Sequence, residues 1–101
     1  MAAFANLTEA QRERLLMLME AAGRIVQTGC VAIRHGYDGY DPNDEEQIPH
    51  SVSLERGIEY LLSVLTQMNK NQDITPDLSG EWLRMVWNTE REWTQHQEVD
   101  E

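Results

Sequence analysis

Residues 8–36 carry apolar side chains at intervals of three and four, the spacing that lines one face of an α-helix. The pattern opens at Thr8, with Gln11 three positions later, a pairing typical of a capping box. It ends at Gly36, where a left-handed C-terminal cap is expected. The stripe, which predicts one long amphipathic helix, consists of Leu15, Leu18, Met19, Ala22, Ile25, Val26, Gly29, Cys30 and Ile33.

Two side-chain roles follow from this pattern. Cys30 lies within the apolar stripe and is expected to be a small buried residue. Gly23 and Gly29 each cost about 1 kcal/mol of helix propensity relative to alanine, so we expect them to permit close approach of another helix.

A loop and two further helices complete the predicted chain. Residues 36–50 are rich in Gly, Pro and Asn and contain five acidic residues, which predicts a solvated acidic loop. A second helix is expected to start near Ser51 or Ser53 and to end in the polar run 69–73, and a third to open at Thr75-Pro76-Asp77. Their apolar stripes are Leu54, Ile58, Leu61, Leu62, Leu65 and Met68, then Leu78, Trp82, Met85, Val86 and Trp93, with Trp87 beside it.

The sequence therefore predicts an all-α protein of one domain, residues 1–101, with residues 1–7 and 98–101 frayed. Three helices of about 20 residues each form only a thin bundle. We expect a homodimer to complete the core, with the tryptophans as core or interface anchors.

The charge balance excludes several partners. Lys and Arg number 8 against 18 Asp and Glu, a formal net charge of −10. Such a surface repels nucleic acids and anionic membranes. The N-terminal residues lack the basic and long apolar regions of a signal peptide, and the longest apolar run is Leu15 to Met19, so a cytoplasmic location is expected. The single cysteine excludes an intrachain disulfide.

Five short segments, in order, carry a resemblance to a known family. The chain resembles the small MazG-like proteins common in phages, of the all-α NTP pyrophosphatase group, over residues 15–98. The segments are Leu18 to Gln27, Ile33-Arg34-His35-Gly36, Tyr40-Asp41-Pro42, Leu54 to Leu62 and Glu90 to Glu98.

The resemblance implies Mg²⁺-dependent hydrolysis of a nucleoside triphosphate to monophosphate and pyrophosphate, with helical carboxylates holding the metal. Of the family's five acidic positions, Glu20 alone retains its acid. Ala21, Arg24, Gly57 and Tyr60 stand at the other four. Since one carboxylate does not hold Mg²⁺ usefully, the resemblance favours the family's fold and disfavours its activity.

Three functions stay open at this point. The first is a protein that binds or sequesters a nucleotide or nucleotide-like signal without metal or cofactor. In this hypothesis the planar guanidinium of Arg24 replaces a metal ligand and binds phosphate, unless it simply pairs with Glu20. Its candidate ligand-binding residues are Glu20, Arg24, Arg34, Arg56 and Tyr60.

The second function is an acidic protein-binding inhibitor of a host or defence protein, guided by electrostatic steering. The third is an active pyrophosphatase that uses the displaced acids Glu20, Glu55 and Glu59. A shift of one or two residues rotates a side chain by about 100–200° around a helix, which disfavours this third function.

Overall fold

A computed structural model describes residues 6–101 and is all-helical over that range. Helix α1 spans Glu9–His35, α2 spans His50–Lys70 and α3 spans Gly80–Glu90, followed by a 3-10 turn at Arg91–Trp93. The all-α class and the three predicted helices are confirmed. The fraying predicted for residues 1–5 lies outside the described residues.

Helix α1 has the predicted ends. The Thr8 hydroxyl accepts the Gln11 backbone N–H at 3.1 Å, and the Gln11 side chain accepts the Thr8 N–H at 2.9 Å, which completes the capping box. At the other end, Gly36 has a φ of 81° and donates its N–H to the Ala32 carbonyl at 2.7 Å. Its ψ of 167° is extended, so this cap has a positive φ without the left-handed helical conformation that was expected.

Helix α2 begins at His50, slightly before the predicted serines, and it has no side-chain cap. Carbonyls of the loop replace that cap. The Gly39 carbonyl accepts the His50 N–H at 2.8 Å, and the Tyr37 carbonyl accepts the Ser51 N–H at 3.0 Å. The predicted loop is present between α1 and α2, and these bonds tie it to the start of α2.

Helices α1 and α2 pack side by side as an antiparallel hairpin. Gly57 permits their close approach, because a Cβ at this position would lie 3.2 Å from the Cγ1 of Ile25. The role predicted for Gly23 and Gly29 is wrong, since a Cβ at either position would meet nothing within 4 Å. Gly57, by contrast, is buried in the seam between the helices.

An ion pair closes the open end of the hairpin. The Arg14 guanidinium on α1 donates to both carboxylate oxygens of Asp73, at 2.5 and 2.9 Å. The hydrogen bond from Arg14 holds the pKa of Asp73 below its ordinary value of 3.8. The pair therefore holds the chain beyond α2 against the start of the hairpin.

Helix α3 begins at Gly80, later than the predicted start at Thr75-Pro76-Asp77. The Asp77 carboxylate accepts the Ser79 N–H at 2.9 Å, and the Ser79 hydroxyl in turn caps the Trp82 N–H at 3.4 Å. These bonds favour a turn before the helix and leave α3 with 11 residues instead of about 20.

The C-terminal arm, defined as residues 80–101, is a local unit. The Trp87 indole donates to the Glu98 carbonyl at 2.8 Å, and Asn88 exchanges two hydrogen bonds with Asp100. Residues 98–101 were expected to be frayed, and these bonds hold two of them against α3. Within residues 6–101, neither α3 nor the 3-10 turn packs against α1 or α2.

The hydrophobic core is correspondingly small. Among the described residues, only Ala21, Val64 and Met68 are buried hydrophobics. Cys30 is exposed, so its predicted burial is wrong. The seam runs along one edge of the α1 stripe and leaves the rest open. We call this surface the apolar face; its exposed side chains are Met19, Val26 and Ile33 of α1 and Ile58 and Leu62 of α2.

Candidate anion-binding groove

A groove runs along the other side of the hairpin. Its larger part is a cleft of about 680 Å³ between the end of α1, the loop and the start of α2. A second cleft of about 270 Å³ continues toward the middle of the hairpin. The two clefts share the lining residues Gln27, Thr28 and Ser53, and together they have the size of a small-molecule site.

Three arginines line this groove. Arg34 lies in the larger cleft, and Arg24 and Arg56 lie in the smaller one. Helical spacing positions the α1 residues, because positions three, four and seven apart share a face. Arg24 and Arg34 are ten residues apart, which corresponds to about 15 Å along the helix axis. The groove thus concentrates three of the chain's eight basic residues.

The predicted ligand-binding residues Glu20, Arg24 and Tyr60 form one cluster. The Arg24 guanidinium donates to the Glu20 carboxylate at 2.6 Å and lies 5.3 Å from the centre of the Tyr60 ring. Both side chains of the ion pair are more than half exposed, so water competes strongly with the pairing. The ring holds the guanidinium at the groove while leaving its hydrogen-bond donors accessible.

The four positions at which the resemblance would place acids lie at or beside the seam of the hairpin. Ala21 and Gly57 are buried in the contact between the helices, where a carboxylate would have no room. Arg24 and Tyr60 stack beside them. Four positions separated along the sequence thus come together, and none of them carries an acid.

The two acids of α2 that the active alternative requires lie outside the groove. Glu55 and Glu59 are exposed and line neither cleft of the groove. Within residues 6–101, no three His, Cys, Asp or Glu side chains gather in an arrangement that could hold a metal ion.

The sequence reasoning missed two groove residues, His35 and His50. The two imidazole rings lie 6.3 Å apart, and His50 is only 8% exposed. Fifteen residues separate the two histidines, and only the fold of the loop brings them together. The first N–H groups of α2 bond to loop carbonyls, so side chains supply the groove's free donors.

The chain has no match among protein-family models, curated proteins or solved structures. The resemblance to MazG-like proteins therefore rests on the residues quoted above.

Proposed function

We propose that this chain is a MazG-like protein without the family's catalytic metal site, which binds a nucleotide or nucleotide-like phosphate compound in the groove. One observation carries the proposal: Arg24, Arg34 and Arg56 line a single groove in a chain of net charge −10. Guanidinium groups bind phosphate through paired hydrogen bonds and need no metal. Tyr40, which lines the larger cleft, offers a ring on which a base stacks.

The ion pair between Arg24 and Glu20 regulates this binding in the proposal. A phosphate that binds Arg24 competes with the Glu20 carboxylate, which accepts a hydrogen bond from one of the guanidinium nitrogens. An exposed pair is worth about 0.2–1 kcal/mol. Removing the carboxylate should therefore tighten binding by up to about fivefold.

The protein acts as a cytoplasmic homodimer in this proposal. By length and composition alone, α1 is sufficiently long and apolar to cross a membrane. However, Glu20 and Arg24 form a charged pair at its middle, and charges at the centre of a bilayer are costly. Contact between two copies covers the exposed stripe without that cost.

Calorimetry against canonical and cyclic nucleotides, first with Mg²⁺ and then with EDTA, tests the proposal. Pyrophosphate release is measured in the same samples. We expect binding that survives EDTA, without turnover. Arg24→Ala and Arg56→Ala should each weaken it about tenfold or more. The control is Arg12→Ala, which removes an exposed arginine that lines neither cleft.

Glu20→Ala separates binding from catalysis. Tighter binding in this variant supports the metal-free proposal, because the variant frees Arg24. Metal-dependent pyrophosphate release that Glu20→Ala abolishes would instead establish the active pyrophosphatase with Glu20, Glu55 and Glu59. Absence of binding with both Mg²⁺ and EDTA would overturn the proposal and leave the acidic protein-binding inhibitor as the hypothesis to pursue.

A further inference from the structure

The chain exposes much more surface than its length requires. Its accessible area is 8504 Å², whereas a compact protein of this length exposes about 5,900 Å². Its radius of gyration is 17.3 Å, against about 13 Å for a compact domain of 100 residues. The excess is about 2,600 Å² per chain, or about 5,200 Å² for two copies, which is at the upper end of the total area that obligate homodimers bury.

Two unpartnered apolar surfaces contribute to this excess. The first is the apolar face of the hairpin, where Ile33 is 87% exposed. The second is the stripe of the C-terminal arm, whose residues recur at the helical interval; within residues 6–101, α3 and the 3-10 turn pack against neither α1 nor α2. Its most exposed members are Leu78 just before the arm, then Trp82, Met85 and Trp93.

The apolar face has clefts that could receive such side chains. One cleft of about 380 Å³ lies between the end of α1 and the start of α2, and its lining includes Gly29, Ile33 and Leu54. Another of about 320 Å³ includes Leu62, Leu65 and Leu78. Tryptophans that fill such pockets typically dominate the binding energy of an interface.

The segment between α2 and α3 directs the arm away from its own hairpin. The paired hydrogen bonds between Arg14 and Asp73 hold the chain where it leaves α2. The turn at Asp77 and Ser79 then sets the start of α3. These bonds order both ends of the segment, and among the described residues α3 packs against neither α1 nor α2.

We propose that two copies of this chain exchange their C-terminal arms, so that Trp82 and Trp93 of each arm pack on the apolar face of the partner subunit. This inference rests on the homodimer proposed above and does not depend on the ligand of the groove. It assigns a role to the arm that a simple face-to-face pairing of hairpins lacks.

Two single substitutions in the full chain test the exchange. Trp82→Asp damages the arm, and Ile33→Asp damages the apolar face. Sedimentation velocity should show a dimer for the unaltered protein and a dissociation constant at least about thirtyfold weaker for each variant. The matched control is Gln67→Asp, which adds the same charge at an exposed position lining a cleft outside both surfaces.

Mixing the two variants distinguishes exchange from other dimers. A mixed dimer has one intact arm on one intact apolar face, so native mass spectrometry should show more mixed dimer than dimer of either variant alone. Circular dichroism checks that each variant keeps its helices. A monomeric unaltered protein, a Trp82→Asp variant that still dimerises fully, or two folded variants that form no mixed dimer would each overturn the proposal.

The groove provides an independent readout for the same proteins. Calorimetry with the nucleotide that binds the unaltered chain separates the two proposals. If the exchanged dimer does not form, Arg24, Arg34 and Arg56 still lie within one subunit, so nucleotide binding should persist. If no nucleotide binds, the sedimentation result is unaffected.

Discussion

The hairpin and the C-terminal arm have similar amphipathic sequences, but only the hairpin buries apolar side chains within the described chain. Helices α1 and α2 pack against each other and bury Ala21, Val64 and Met68. The stripe of the arm is no less apolar, but no residue of α3 is buried. Helical periodicity thus specifies an apolar face. That face forms part of a core only where another apolar surface packs against it.

The two sides of the hairpin also differ from each other. One side carries the groove with its three arginines, and the other carries the apolar face. Substitutions on the groove side should alter ligand binding and leave assembly intact. Substitutions on the apolar face should do the reverse, because its residues lie away from the groove.

The largest contrast is expected between two methionines. Met68 is 2% exposed in the hairpin and Met85 is 55% exposed on the arm. Met68→Ala should lower the free energy of unfolding by about 2–5 kcal/mol, because it leaves a cavity. Met85→Ala should matter only at concentrations where the protein dimerises. Urea denaturation at two protein concentrations measures both, and equal effects of the two substitutions at low concentration would contradict the comparison.

Two glycines of the hairpin offer the next contrast. Gly57→Glu restores the residue type of the resembled family, but its side chain would collide with Ile25. We expect a loss of about 1–3 kcal/mol in unfolding free energy, from overpacking alone. Gly23→Glu is the control, since nothing lies within 4 Å of a Cβ there, and it should be neutral or stabilising by up to about 1 kcal/mol. Equal destabilisation would show that Gly57 is not the contact point.

Substitutions at the helix caps compare the two regions through smaller expected changes in stability. Thr8→Ala removes the capping hydroxyl of α1 and should cost about 1 kcal/mol of stability. Ser79→Ala removes the longer cap bond of α3, 3.4 Å, from an arm that no packing supports. We expect it to reduce helical content with little change in the unfolding midpoint of the hairpin. Circular dichroism reports both quantities, and a shared midpoint shift would indicate that arm and hairpin unfold together.

Acid should weaken the junction between hairpin and arm. Because Arg14 lowers the pKa of Asp73 in the folded state, the pair stabilises the protein above pH 3.8. That stabilisation is lost as the pH falls through the folded-state pKa. The thermal midpoint of the unaltered chain should therefore fall more steeply below pH 4 than that of Asp73→Asn.

Asp77→Asn is the control for this pH effect. The pKa of Asp77 is also lowered, chiefly by the Ser79 backbone N–H, but it has no cationic partner at the hairpin. The asparagine side chain still accepts that N–H. An acid response equal in Asp73→Asn and the unaltered chain would show that the pair with Arg14 contributes nothing.

Much of the secondary structure follows from the sequence alone. The capping residues Thr8 and Gln11, the positive φ at Gly36 and the polar loop that follows are local signals, so the prediction of α1 and its ends was nearly complete. The predicted start of α3 was wrong because the Asp77 carboxylate, three residues before Gly80, stabilises a turn. The pair Thr75-Pro76 is typical of a helix start, so the sequence alone does not distinguish the two.

The sequence by itself determined that the chain is helical and that each helix carries an apolar stripe. Only the tertiary structure decided which edge of each stripe forms the seam, that Gly57 rather than Gly23 or Gly29 permits close approach, and that Cys30 is exposed. It also brought His35 and His50 into the groove beside Arg34. The reason is geometric: periodicity gives the direction of side chains around one helix axis, whereas contact depends on how two axes cross.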